Sequence, residues 1–152
     1  MTRKLPASGN PRSHSSDLER LWRALLTTGW RCLLVIPADP STSVDSVLGA
    51  LQTVLKLERS HTIELVDGRG AGMGDGDRLA RQVVDGGSSG RRVIAFIDPI
   101  TQSLAGVPLV RAADSVLLIV QIDSPDVESL SSTLSIVGAD RVIGAVAVPA
   151  SS

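Results

Sequence analysis

Aromatic residues make up only 2% of this sequence, and tyrosine is absent. So few rings leave little surface on which nucleic-acid bases could stack. The formal net charge of -1 also excludes a broadly basic surface of the kind that binds a phosphate backbone. We therefore expect no nucleic acid as a partner, and a chain without tyrosine has no site for tyrosine phosphorylation.

Cysteine, histidine and long apolar runs are also scarce. Cys32 is the single cysteine, so no internal disulfide can form, and only two histidines accompany it as metal ligands. Cys32 lies in the apolar run RCLLVI, which predicts a buried thiol. No apolar run reaches the roughly 18 residues that span a bilayer, and the basic N-terminus lacks the apolar segment of a secretory signal. These absences predict a cytoplasmic protein without a metal or a membrane span.

The sequence does contain a regular alternation of strand and helix patterns. Residues 1–16 are rich in Pro, Ser, Gly, Asn and Arg and predict a disordered leader, followed by one α/β domain over 17–149 and a tail over 150–152. Ser16 or Asp17 is predicted to cap the first helix. Runs such as RCLLVIP and SVLLIVQI predict buried strands, and SVDSVLGALQTVLKLE predicts an amphipathic helix. This pattern predicts a doubly wound, mainly parallel sheet of about five or more strands with helices on both faces.

Aspartates lie at the ends of predicted strands, at Asp39, Asp67, Asp98 and Asp123. Ligands of open α/β sheets bind beyond the carboxyl ends of the strands, so this set indicates a metal and nucleotide pocket. Aspartate is also a common turn and helix-capping residue, which is the alternative interpretation for each position. An unrelated enzyme that uses these acids is the weakest option, because no Ser-His-Asp or Cys-His arrangement accompanies them.

The stretch LLVIPADPSTSVDSVLGAL, residues 33–51, has the layout of a phosphate-binding loop, since a strand turns through small residues into a helix. Such a loop uses glycines to wrap backbone N–H groups around phosphates and a lysine to neutralise their charge. The turn here has neither. Two more apolar runs end in an acid, IELVDGR and VIAFIDP, and the segments AADSVLLIVQI and GADRVIGAVAV follow them.

Together these motifs resemble the cytoplasmic kinase domain of bacterial tyrosine kinases, which belong to the broader ParA/MinD-like P-loop ATPases. The resemblance runs from about residue 17 to residue 148. Within the family's loop S-A-x-P-G-x-G-K-S/T, Ala38 and Pro40 match. Asp67 matches the first acid of the second motif, with Arg69 in place of the second acid, and Asp98 matches the acid of the third motif.

Four positions depart from the family's loop. The resemblance places Ser41 and Ser43 at the two glycines, Val44 at the lysine and Asp45 at the magnesium-binding hydroxyl. Side chains at the glycine positions hinder the backbone N–H groups from closing around phosphates. Val44 supplies no positive charge, and a carboxylate at position 45 repels a triphosphate. The loop and the acids Asp67 and Asp98 are therefore predicted to be vestigial, with no catalytic residues, no cofactor and no metal.

The family also carries a subunit-contact motif, E-x-x-R-x-x-R, on its N-terminal helix. Asp17, Arg20 and Arg23 have the same spacing in DLERLWR, and residues so spaced lie near one another on one side of a helix. They are candidates for a protein contact. A solvated charged face is the alternative.

The resemblance implies a catalytically inactive, kinase-like interaction or regulatory partner in bacterial exopolysaccharide biosynthesis and export. Its partner would be an inner-membrane polysaccharide co-polymerase or another export or synthase component, which would recruit the protein to the inner membrane. Self-association is a further option. The alternative function is that of a divergent ParA/MinD-type ATPase that positions cargo inside the cell.

Overall fold

The computed structural model describes residues 2–3, 11–57, 62–70, 72, 74–122 and 126–149. Two short 3-10 turns span Leu104–Gly106 and Ala139–Arg141. In chain order the strands and longer helices are β1 (Thr2–Arg3), α1 (Pro11–Leu26), β2 (Cys32–Pro37), α2 (Asp45–Leu57), β3 (Ile63–Asp67), α3 (Asp75–Ser88), β4 (Arg92–Phe96), α4 (Val107–Ala112), β5 (Ser115–Gln121), α5 (Val127–Val137) and β6 (Val142–Val148).

The six strands form one parallel sheet in the order β1-β6-β5-β2-β4-β3. Strand β2 lies at the centre of the sheet, and all six of its residues are buried. A central parallel strand is covered on both faces, which is why its sequence is a continuous apolar run instead of an alternating one. The predicted fold class, a doubly wound α/β sheet, is confirmed.

Helices cover both faces of the sheet. On one face Leu33 and Val35 of β2 pack in the core built by α1 and α2, and on the other face Leu34 and Ile36 pack in the core that contains residues of α3, α4 and α5. Successive side chains of a strand point to opposite faces, so one short apolar run supplies both cores.

Helix α1 begins at Pro11, earlier than the start predicted at Ser16 or Asp17. Proline suits the first position of a helix, where its missing N–H would have no intrahelical partner. Thr2–Arg3 pair with β6, while residues 4–10 and 150–152 lie outside the described residues. The helix start is thus corrected, and the division of the chain into leader, domain and tail stays a prediction.

Arg92 of β4 joins the carboxyl end of α1 to the sheet. Its guanidinium donates to the carbonyl oxygens of Leu26, Thr28 and Trp30, at 2.5, 2.6 and 3.0 Å. The guanidinium carbon also lies 3.8 Å from the centre of the Trp30 ring, a cation–π arrangement. The carbonyl groups at a helix end lack intrahelical partners, and Arg92 supplies donors to them.

Within the described residues, none of the helices combines the length and the apolar character that a bilayer crossing requires.

Candidate functional site

The carboxyl ends of the parallel strands meet at one edge of the sheet. There the chain leaves β2 through α2 toward β3, and it leaves the neighbouring strand β5 through α5 toward β6 on the other side. This reversal between adjacent strands is the place where open α/β sheets form a ligand-binding crevice. The loop 38–44 lies at this crevice.

The loop 38–44 is held by its own acid. Asp39 is buried, with 2% of its surface exposed, and its carboxylate accepts the backbone N–H of Ser41 at 2.9 Å and the Ser41 hydroxyl at 2.5 Å. The backbone N–H of Thr42 is donated to the Asp39 carbonyl at 3.2 Å. In a phosphate-binding loop such N–H groups point at the ligand. Here the Asp39 carboxylate and carbonyl receive two of them.

Ser41 also contacts the end of the neighbouring strand β5. Its hydroxyl oxygen lies 2.9 Å from the side-chain amide of Gln121 at the end of β5. Since a hydroxyl has one proton, which Asp39 accepts, the Gln121 amide fits this contact with its NH2 group as the donor. Sequence reasoning missed Gln121. The available signal was a polar residue at the end of the apolar run SVLLIVQ.

Val44 does not face the crevice. Its side chain is 5% exposed and packs in the core between the sheet and helices α1 and α2, while its carbonyl accepts the N–H of Leu48 as α2 begins. The backbone N–H of Asp45 is donated to the Ser43 hydroxyl at 3.3 Å. The position that the resemblance aligns with a phosphate-binding lysine therefore directs its side chain into the core.

Arg69 links two acids at this edge. Its Nε and one terminal nitrogen each lie 2.9 Å from a carboxylate oxygen of Asp67, and its other terminal nitrogen lies 3.1 Å from Asp45. The two-pronged contact is the geometry in which guanidinium and carboxylate bind most strongly. The Arg69 side chain, by its hydrogen bonds, lowers the pKa of Asp67, and the two carboxylates raise the pKa of Arg69. Both shifts favour the charged forms of Asp67 and Arg69.

Asp98 fixes the turn that follows Arg69. Its carboxylate accepts the backbone N–H of Gly70 at 2.7 Å, and Gly70 has a positive φ of 75° that favours glycine. The backbone N–H of Gly68 is donated to the Phe96 carbonyl at 2.7 Å. A cavity beside Asp98 has a volume of about 10 Å³, which is room for at most one water.

The structure therefore brings together most of the predicted edge residues. Asp45, Asp67 and Asp98 all contact the turn at Arg69 and Gly70. Ser41 contacts Asp39 within the loop that follows β2. Asp123 lies outside the described residues. Among the residues that the structure describes, no group of three or more His, Cys, Asp or Glu is arranged to hold a metal ion.

The candidate contact residues lie elsewhere, on α1. Asp17 is half-buried, and Arg20 and Arg23 are exposed. The same helix buries Leu18 and Trp22, and the Trp22 indole N–H is donated to the Val47 carbonyl at 2.9 Å. This packing fixes α1 on α2, so the two arginines are presented on a rigid helix. Their predicted role in a protein contact stays a prediction.

The comparisons with known proteins establish the fold only. No family model and no curated protein matches the sequence. The structure is similar to the solved structure of the chimerical protein CapA2B2, with a TM-score of 0.66 over 97% of this chain and 88% of that chain, at 9% identity. Since the similarity covers nearly the whole chain, it supports the α/β arrangement of the sheet together with its helices.

Proposed function

We propose that this protein is a catalytically inactive, kinase-like or P-loop-like protein that acts as an interaction or regulatory partner in bacterial exopolysaccharide biosynthesis and export. The observation that carries the inactive part is the bridge from Arg69 to Asp67 and Asp45. It joins the end of β3 to the first residue of α2, at the helix terminus where a phosphate would bind.

A nucleotide would have to compete with groups of the chain itself. Its phosphates would meet the carboxylates of Asp39 and Asp45, and like charges at close range repel. To bind Arg69, the phosphates would also have to displace Asp67, which accepts two hydrogen bonds from the Arg69 guanidinium. The buried Val44 side chain offers no positive charge in compensation. Each feature weakens triphosphate binding, and together they favour a fold that is retained for its surface.

The pathway part of the proposal rests on the resemblance to bacterial tyrosine kinases that accompany polysaccharide co-polymerases. The partner that we propose is the cytoplasmic segment of such a co-polymerase or of another export or synthase component. Binding to it would bring this protein to the inner membrane. The candidate surface is α1, where Arg20 and Arg23 are exposed.

Calorimetry with ATP and magnesium tests the inactive part. We expect no heat of binding at millimolar nucleotide and no phosphate release. The Arg69→Gln variant separates the bridge from the loop: it frees Asp67 and Asp45 but keeps both acids and the buried Val44, so it should also bind no ATP. Binding by the wild type, accompanied by dimerisation that depends on ATP, would contradict the proposal and favour an ATPase that positions cargo.

The partner is tested by binding measurements with purified cytoplasmic segments of the co-polymerase from the same organism. We expect the wild type to bind and the Arg20→Glu, Arg23→Glu double variant to lose at least tenfold in affinity. Arg91→Glu is the matched control, because Arg91 is exposed on another part of the surface. Equal binding by all three would remove α1 as the interface, and no binding by the wild type would overturn this class of partner.

A further inference from the structure

Helices α3 and α4 leave an open groove of about 580 Å³ between them. One half of its lining is made of small or apolar side chains, and the other half is charged. The lining residues are Asp77, Ala80, Arg81, Val84, Asp85, Pro108, Arg111 and Ala112. The groove contains none of the residues predicted to form a site.

Val84 indicates that this groove is a contact surface. The core side of α3 is supplied by Leu79 and Val83, which are 8% and 1% exposed. Val84 lies on another side of the helix and is 48% exposed, with Ala80 one turn before it. A single exposed valine is ordinary, but here Pro108 and Ala112 of α4 line the same groove and extend the apolar surface.

Positive and negative side chains around the groove are equal in number, and within the described residues they are not engaged in ion pairs. Arg81 and Arg111 lie with Asp77 and Asp85 around it, so positive and negative groups are equal in number. Within the described part of the chain, the side chains of these four residues have no hydrogen-bond or ion-pair partner. A strongly acidic or basic partner would leave two like charges opposed, whereas a surface with the same balanced pattern can set opposite charges against one another.

We propose that two copies of this chain associate through the α3–α4 groove about a two-fold axis. Such an axis sets the same patch of both copies face to face, so the patch has to be complementary to itself. Arg81 and Asp85 are one helical turn apart on α3 and lie on the same side of it. An axis that crosses α3 between them places Arg81 of each copy against Asp85 of the other, with the Val84 side chains between the two ion pairs.

The contact is a small one. We expect a pair of helices to bury less than the roughly 1,200 Å² of a standard interface, which is the size of weak and transient contacts, so association should require high protein concentration. The proposal is independent of the proposed function, since it uses neither the Arg69 bridge nor α1. An experiment that contradicts the dimer therefore does not contradict the proposed function, and the reverse also holds.

Sedimentation velocity from 10 µM to 1 mM, combined with charge reversals, tests the proposal. We expect the wild type to shift from monomer to dimer over this range, while Arg81→Asp and Asp85→Arg each stay monomeric because like charges meet across the axis. An equimolar mixture of the two variants should form a heterodimer, because one copy then presents two acids and the other two arginines. A wild type that is monomeric at 1 mM would overturn the proposal.

Two further variants distinguish this pairing from a general effect of the altered charge. The double variant Arg81→Asp, Asp85→Arg restores complementarity and should dimerise like the wild type. Lys56→Asp makes the same charge change on the exposed surface of α2, which covers the other face of the sheet, and should leave the dimer unaffected. Single variants that dimerise as well as the wild type, or a mixture that stays monomeric, would each contradict the pairing of Arg81 with Asp85. Rescue in the mixture cannot arise from misfolded chains.

Discussion

Arg69 and Asp45 are 24 positions apart in the sequence, and a terminal nitrogen of the Arg69 guanidinium lies 3.1 Å from an Asp45 carboxylate oxygen. The same guanidinium holds Asp67 with two hydrogen bonds, so the start of α2 and the end of β3 are connected through one side chain. Ligands of open α/β sheets bind at this edge, beyond the carboxyl ends of the strands. Here the Arg69 side chain connects the two elements that border it.

The first prediction concerns the acid end of this bridge. The hydrogen bonds from Arg69 lower the pKa of Asp67, so the bridge stabilises the folded state above the ordinary aspartate pKa of about 3.9. That stabilisation disappears as the pH falls through the lowered pKa that Asp67 has in the folded state. In Arg69→Gln the Asp67 pKa should rise to its ordinary range, measured by NMR titration of the carboxyl carbons. Arg78→Gln, which removes only a 3.5 Å pair with Asp75, should leave the Asp67 pKa unchanged.

The second prediction concerns the cap on α1. Arg92→Met removes three donors from the carbonyls of Leu26, Thr28 and Trp30, together with the cation–π contact. We expect the free energy of unfolding to fall by about 2 kcal/mol, measured by urea titration. Arg91→Met, at the exposed neighbouring position, should change it by less than about 0.5 kcal/mol. Equal effects of the two substitutions would refute the capping role.

The third prediction contrasts two helical glycines. A Cβ at Gly49, inside the exposed part of α2, would have no neighbour within 4 Å, so Gly49→Ala should stabilise the protein by about 0.5–1 kcal/mol through helix propensity. A Cβ at Gly76 would stand 2.4 Å from the Ala105 carbonyl oxygen, so Gly76→Ala should destabilise by about 1–3 kcal/mol. Thermal melts of the two variants should move in opposite directions, and a shift of the same sign would contradict the close approach of α3 to the turn at 104–106.

The fourth prediction contrasts two buried threonines. Thr42 is 7% exposed, and within the described residues its hydroxyl has no hydrogen-bond partner. Thr42→Val removes this unpaired group at constant shape and should stabilise by about 1 kcal/mol. Thr133 is fully buried and donates its hydroxyl to the Ser129 carbonyl at 2.8 Å, so Thr133→Val should lose about 1 kcal/mol. Chemical denaturation of both variants tests the difference in sign.

The strands and the fold class could be predicted because buried parallel strands leave a strong mark on the sequence. The run CLLVIP is apolar throughout, and every residue of it is buried. The start of α1 was harder to predict, because a Pro- and Ser-rich composition is typical of a loop. In the structure Pro11 is the first residue of the helix instead.

The candidate site was only partly predictable for a geometric reason. Acids at strand ends share one edge of a parallel sheet, so Asp67 and Asp98 were expected to be neighbours there. Nothing in the local sequence shows that Arg69 reaches back to Asp45, since that contact depends on where α2 begins in space. The inward direction of Val44 was predictable, because the amphipathic pattern of SVDSVLGALQTVLKLE puts Val44 on the same apolar side as Val47 and Leu51, and all three are buried.

The burial of Val44 has a consequence for the design of a phosphate site in this fold. A Val44→Lys substitution would put an ammonium group into the core beside α1 and α2 and would not place it at the mouth of the crevice. Burying an unpaired charge costs several kcal/mol, a large fraction of the stability of a domain of this size. A lysine that reaches the crevice from this position would therefore require the backbone of the loop to turn as well. A phosphate site is thus beyond the reach of a single substitution at position 44.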